Sequence, residues 1–106
     1  MTTTTSLKHL RPETRQFWQA IVDEYELSAH HLRLLLAACE SWDRMTEARE
    51  TVETDGPYYT DKRGIRHPHP ALAVEKESRA AFARLLKSLN LDLEIPQEGP
   101  GRPPGT

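Results

Sequence analysis

The sequence predicts a mainly α-helical protein: three helices, one of them long, with a small β-hairpin between the second and third and an antiparallel pairing of those two helices. Three observations predict it. Apolar residues recur every three to four positions in three separate stretches, which is the period of an amphipathic helix. Pro12, Gly56-Pro57 and Pro68-His69-Pro70 punctuate those stretches where helices start and stop. Between the last two lie the β-prone pieces Tyr58-Tyr59-Thr60 and Ile65-Arg66-His67. They flank Asp61-Lys62-Arg63-Gly64, the composition of a four-residue hairpin loop that ends on glycine.

The first helix starts near Pro12, whose fixed φ suits a first turn, and Glu13 then faces the positive end of the helix dipole. Phe17, Trp18, Ile21, Val22 and Tyr25 fall on one face. Its end carries Asp23, Glu24 and Glu26, which the dipole disfavours; they form either a solvated acidic rim or the complement of a basic surface on a neighbour.

Leu27-Ser28 makes the corner, with Ser28 as N-cap of a second helix from Ala29 to about Thr54. Leu35, Ala38, Cys39, Trp42, Met45 and Val52 form its apolar arc, and Arg33, Glu40, Asp43, Arg44, Glu47 and Glu50 hold the opposite side. Leu32 and Leu36 widen the arc in the first half, where the first helix covers it. Ala38, Met45 and Val52 are seven apart, as are Leu35, Trp42 and Arg49, a spacing that suits packing along another long helix. A helix near 25 residues is about twice the typical length and should project beyond the compact part of the molecule.

The third helix starts at Pro70 or Ala71, with Val74, Ala81, Phe82, Leu85, Leu86 and Leu89 on its apolar face and Asn90 at its end. Glu75 and Glu77 early and Arg79, Arg84 and Lys87 late accord with the dipole. Two short strands are marginal alone, so the hairpin needs something to pack on. Around this domain of residues 10–93, the organisation expected is a Thr-rich arm over 1–9 and a mobile Pro/Gly-rich tail over 94–106, the latter a reasonable docking segment.

Composition narrows the function classes. With 106 residues the chain is one domain, and one this small gains stability from oligomerisation. A net charge of −2 gives no global field toward nucleic acid, so such binding must come from a local patch. The single Cys39 excludes an internal disulfide. No apolar run approaches the roughly 18 residues of a membrane span. Met1-Thr2-Thr3-Thr4-Thr5-Ser6 lacks the make-up of a signal peptide, so a cytoplasmic location is expected.

The residues that carry chemistry offer no catalytic site. His67-Pro68-His69, with His30, His31 or Cys39, invites a metal reading, but no CxxC, HxxxH or HExxH spacing supports one. The two prolines explain His-Pro-His-Pro as a rigid lead into the third helix. Cys39 sits among leucines with no nearby base, as a small core residue does. No GxxxxGK[ST] loop is present. The expectation is therefore no enzyme, no cofactor and no metal. Lys62, Arg63 and Arg66 remain, three fixed positive charges within five residues beside His67, His69, Tyr58 and Tyr59. Such a tip grips phosphates, or it is a solvated hairpin whose charges keep its edges from aggregating.

Several segments together resemble a known family. They are Leu10-Arg11-Pro12-Glu13 through Phe17-Trp18 and Tyr25-Glu26-Leu27, then His31-Leu32-Arg33-Leu34-Leu35 with Ala38-Cys39-Glu40-Ser41-Trp42-Asp43-Arg44. Downstream come His69-Pro70-Ala71-Leu72-Ala73-Val74-Glu75 and Phe82-Ala83-Arg84-Leu85-Leu86-Lys87-Ser88-Leu89-Asn90-Leu91. This order, over roughly residues 7 to 92, resembles the small terminase subunits of tailed bacteriophages, in the P twenty-seven group. The resemblance implies a non-catalytic subunit that recognises viral double-stranded DNA in the host cytoplasm. It also implies a homo-oligomeric ring that recruits or regulates a large subunit holding the ATPase and nuclease.

For DNA contact, Lys62, Arg63 and Arg66 come first and Arg11 and Arg15 second. Trp42, Met45, Val52, Phe82, Leu86 and Leu89 are assigned to packing, within the subunit or between subunits. The N-terminal arm departs from a DNA-reading pattern: its basic residues are Lys8, Arg11 and Arg15, and no helix-turn-helix reading helix follows. The rival readings are a prophage-encoded helical adaptor without DNA binding, a metal nuclease using His67 and His69, and a structural dimer.

Overall fold

Residues 7–89 are described by the structure, a computed structural model. They form α1 (Pro12–Glu24), α2 (Ala29–Asp55), β1 (Tyr58–Thr60), β2 (Arg66–Pro68) and α3 (Pro70–Leu89) in that order. The mainly α class, the three helices and the hairpin between the second and third are as the sequence predicts. The expected tail over 94–106, the expected C-terminal role of Asn90 and the first six residues lie outside the described residues.

α2 starts where its cap dictates: the Ser28 hydroxyl accepts the His31 N–H at 3.2 Å. Its 27 residues span about 40 Å at the usual rise. Gly56, at φ 89°, ends it in the left-handed region that glycine tolerates, and its N–H closes on the Val52 carbonyl at 2.7 Å.

α3 returns antiparallel along α2. Leu35 and Leu89 share the buried core cluster, Trp42 meets Phe82 with ring centroids 4.9 Å apart, and Arg49 Nε lies 3.5 Å from Glu75. Each step of seven up α2 is a step of seven down α3. The heptad spacing thus finds its long partner helix within the same chain. Small side chains bring the two backbones close, since Ala38, Ser41, Ala48 and Ser78 are buried and Met45 is only 2% exposed.

One face differs from expectation. Val74 stands 37% exposed, and Glu75 takes the position toward α2, its carboxylate held by Arg49 and by Arg79 at 3.0 Å. The reason is angular. Glu75, Phe82 and Leu89 line up at steps of seven, whereas Val74 is rotated about 100° from Glu75.

The core lies at the end remote from the hairpin, where Leu10, Trp18, Leu35, Cys39 and Leu89 cluster. α1 is seated there by Trp18 and by α2's polar side. Arg11 at the N-cap makes no side-chain cap, and Asp43 of α2 anchors this end of the helix instead. The carboxylate accepts the Arg11 N–H at 2.8 Å and the Thr14 hydroxyl at 2.5 Å. Arg11 forks onto Glu50 at 2.8 and 3.0 Å, and His9 bonds Glu40 at 2.8 Å.

Glu40, Asp43 and Glu50, read as the side opposite the apolar arc, therefore form a stripe that takes up the His9 ring, the Arg11 N–H and the Arg11 guanidinium at the positive end of α1. Leu7 packs on the core cluster and its carbonyl accepts the Leu10 N–H at 3.0 Å, so residues 7–9 pack with the helical domain.

In the hairpin, Tyr58 pairs with Pro68, Tyr59 with His67 and Thr60 with Arg66. The second strand begins one residue later than expected, because Ile65 belongs to the loop. The Gly64 N–H closes on the Asp61 carbonyl at 3.0 Å, Gly64 adopts φ 84°, and the Asp61 N–H reaches the Ile65 carbonyl at 2.9 Å. That is a hydrogen-bonded turn over Asp61–Gly64 ending on a positive-φ glycine, within a loop from Asp61 to Ile65.

Candidate nucleic-acid interface

Lys62 and Arg63 occupy the turn and Arg66 opens the second strand, all three exposed. No ion pair among the described residues takes up any of them. The one acid in the loop, Asp61, faces inward. Its Oδ1 accepts the Arg63 N–H at 2.8 Å and the Ile65 N–H at 2.9 Å, and its Oδ2 lies 2.8 Å from His67 Nε2. An ionised carboxylate only accepts, so Nε2 is the donor. The His67 bond, then the Ile65 N–H, hold the Asp61 carboxyl below its ordinary value; desolvation opposes them, and the Arg63 and Gly64 N–H groups add smaller pulls.

Both faces of the ribbon are organised around rings. Arg66 lies over the Tyr58 ring, its Cζ 4.3 Å from the centroid, which orients the guanidinium while leaving its N–H groups for a ligand. On the other face Tyr59 stacks on His67 at 5.1 Å with 25° between planes. The base of the hairpin is tied to both long helices. His69 Nδ1 accepts the Ala71 N–H at 2.9 Å and so caps α3, which leaves Nε2 to donate to Asp55 at 3.0 Å. The His69 N–H bonds the Pro57 carbonyl at 2.8 Å.

The other candidate residues are placed elsewhere. Arg11 is engaged by Glu50, and Arg15 donates to the Leu10 carbonyl at 2.6 Å, both at the start of α1 rather than on the hairpin. Of the packing residues, Met45 and Leu89 are buried in the subunit, Leu86 packs against the core cluster and Val52 is half-buried. Trp42 is 39% exposed and Phe17 38%. With Phe82, Glu13 and Thr14 they line an apolar cleft of about 390 Å³ between α1 and the α2–α3 pair.

Burial, reinforced by the negative charges of Asp43 and Glu40, pushes the Cys39 thiol up to about 12, which removes it as a nucleophile near neutral pH. Among the described residues no three His, Cys, Asp or Glu side chains converge as a metal site, and no helix is long and apolar enough to cross a membrane.

Asp61 is the residue that sequence reasoning passed over. Its signal was present: an acid at the first position of a turn with glycine at the fourth is the pattern of a type I turn whose first side chain bonds the backbone ahead.

Comparison with curated proteins finds no match, and comparison with solved structures finds none. The sequence pattern of one family, described as phage terminase, small subunit, matches residues 14–94. That span takes in α2, α3, the basic hairpin and all of α1 but its first two residues. The chain accordingly belongs to the small-subunit family of phage terminases, whose role lies in DNA packaging.

Proposed function

We propose that this protein is the non-catalytic small subunit of a phage DNA-packaging terminase and that it recognises viral double-stranded DNA through its β-hairpin tip. It acts as a homo-oligomer, in ring form, in the cytoplasm of the bacterial host, and it recruits or regulates the large subunit that holds the ATPase and nuclease. The observation that carries the DNA contact is the exposure of Lys62, Arg63 and Arg66 together, without ion-pair partners among the described residues, on a chain whose net charge is −2. A local cluster of this kind binds phosphate where the global field does not. Arg11 and Arg15 fall outside the proposed contact, since Glu50 and the Leu10 carbonyl already engage them. For self-association, the cleft of Phe17, Trp42 and Phe82 is an apolar surface left open after α2 and α3 have covered each other.

The test is retention of duplex DNA as a function of salt, with oligomer mass measured with and without DNA. Neutralising Z phosphates gives a log–log slope of about −0.9Z. The combined change Lys62→Ala, Arg63→Ala, Arg66→Ala should flatten that slope by about 2.7. A salt response that is flat for the unaltered protein removes the DNA contact and leaves a protein–protein adaptor. A mass that stays monomeric at working concentration removes the ring.

A further inference from the structure

We infer that Asp61 is the positioning residue of the tip: by gathering the Arg63 N–H, the Ile65 N–H and the His67 ring on one carboxylate, it fixes the Lys62-Arg63 turn in the shape that meets DNA phosphates. The inference rests on the proposed DNA contact and adds to it a residue whose charge has the wrong sign for the ligand. A negative group beside three cations weakens phosphate binding if only Coulomb forces act. Its placement argues for a second role. The loop from Asp61 to Ile65 is exposed almost throughout and has no core beneath it. What holds it is the Gly64 N–H on the Asp61 carbonyl, the Asp61 N–H on the Ile65 carbonyl, and the three bonds to the Asp61 side chain.

Through His67, which stacks on Tyr59, the same carboxylate ties the turn to the strands. Without it the two cationic residues sit on a loop that has to be ordered when DNA binds, and ordering a residue's backbone is a large cost on the scale of one phosphate contact. Asn at this position retains one carbonyl oxygen and cannot serve both the two N–H groups and the histidine as acceptor.

The experiment compares duplex DNA binding of the full chain with Asp61→Asn and Asp61→Ala at several salt concentrations. Positioning and bare charge predict opposite signs. If Asp61 positions the turn, both variants bind more weakly, by about tenfold for Ala and less for Asn, with a salt slope flatter by about one. Adding Lys62→Ala and Arg63→Ala to either variant should then cost less than it costs the parent, because the contacts removed are the ones already loosened. Unchanged helical circular dichroism and unfolding midpoint confirm that the remote core is intact. Binding equal to or tighter than the parent, or losses that add in full, overturns the inference while the DNA contact stands. Absence of salt-dependent binding by the parent overturns both.

Discussion

Replacing Asp43 by Ala should unseat α1, and the magnitude follows from what the carboxylate holds. It accepts the Arg11 N–H at 2.8 Å and the Thr14 hydroxyl at 2.5 Å. Hydrogen bonds to a charged group contribute roughly 1.5–3 kcal/mol each when the geometry is good. Asp43 is half-buried and the two bonds share one group, so the lower part of that range applies to each. Its charge also faces the positive end of α1, a contribution of about 0.3–1 kcal/mol. Thr14 is 3% exposed, so its hydroxyl loses its partner without regaining water. The expected loss is about 3–4 kcal/mol, a substantial part of the roughly 5–15 kcal/mol that stabilises a domain.

Urea unfolding at one fixed protein concentration measures it, the concentration being held because self-association shifts apparent stability. Asp43→Asn is the internal control. It keeps one acceptor oxygen and loses the charge, so it should fall between the parent and Asp43→Ala. Thr14→Val in the Asp43→Ala background should cost far less than in the parent, since the hydroxyl it removes is already unpartnered. A loss under about 0.5 kcal/mol for Asp43→Ala, the scatter of ordinary surface changes, would refute the reasoning and mean that Trp18 and Leu10 seat α1 unaided.

Two further outcomes follow from the same structure. Cys39, fully buried and with its thiol pushed up to about 12, should resist a thiol reagent at pH 8 in the native protein and react at once in denaturant; prompt native labelling would show that the core opens. The Asp61 and Glu50 carboxyls lie lower in the folded protein than their ordinary 3.8 and 4.5, held down by His67 and Arg11 respectively. A depressed carboxyl stabilises fully above its ordinary value and loses that contribution as pH falls through the folded one. Amide exchange at Arg63 and Ile65, and the seating of Arg11 on α2, should therefore hold from pH 7 to 5 and loosen below about pH 4; loosening already complete at pH 5 would contradict the assigned partners.

The helical skeleton was legible because it depends on local chemistry. Ser28 caps α2 whatever surrounds it, Gly56-Pro57 stops it, and the apolar period marks each helix. The helix pairing was legible too, through the sevenfold spacing of Leu35, Trp42 and Arg49. Side-chain partners were not. Glu40, Asp43 and Glu50 read as the polar side of α2 because amphipathicity sorts residues by water, and nothing in that pattern says that the start of another helix brings His9, Arg11 and Thr14 to the same side. Val74 was misplaced for a related reason: the spacing of seven from Phe82 and Leu89 gives the position toward α2 to Glu75, and a carboxylate with two guanidinium partners tolerates it there. At the tip the cations were legible as a cluster, and the acid that shapes it was hidden among them.

The pairing of α2 with α3 also bears on how copies of the chain would meet. A heptad seam exposed on one long helix suggests assembly through that seam, and Met45 and Val52 lie on it. With α3 folded back, Met45 is 2% exposed and Leu89 2%, so neither remains available to a neighbour. Trp42 is different. It stands at the edge of the seam, its ring against Phe82 on one side and 39% exposed toward Phe17 on the other. A substitution at Met45 therefore reports on the fold of the subunit, whereas a substitution at Phe17 removes a half-exposed ring outside the buried cluster. If copies assemble through the cleft, Phe17→Ser lowers the oligomer mass at unchanged helical content, and Met45→Ser lowers both together.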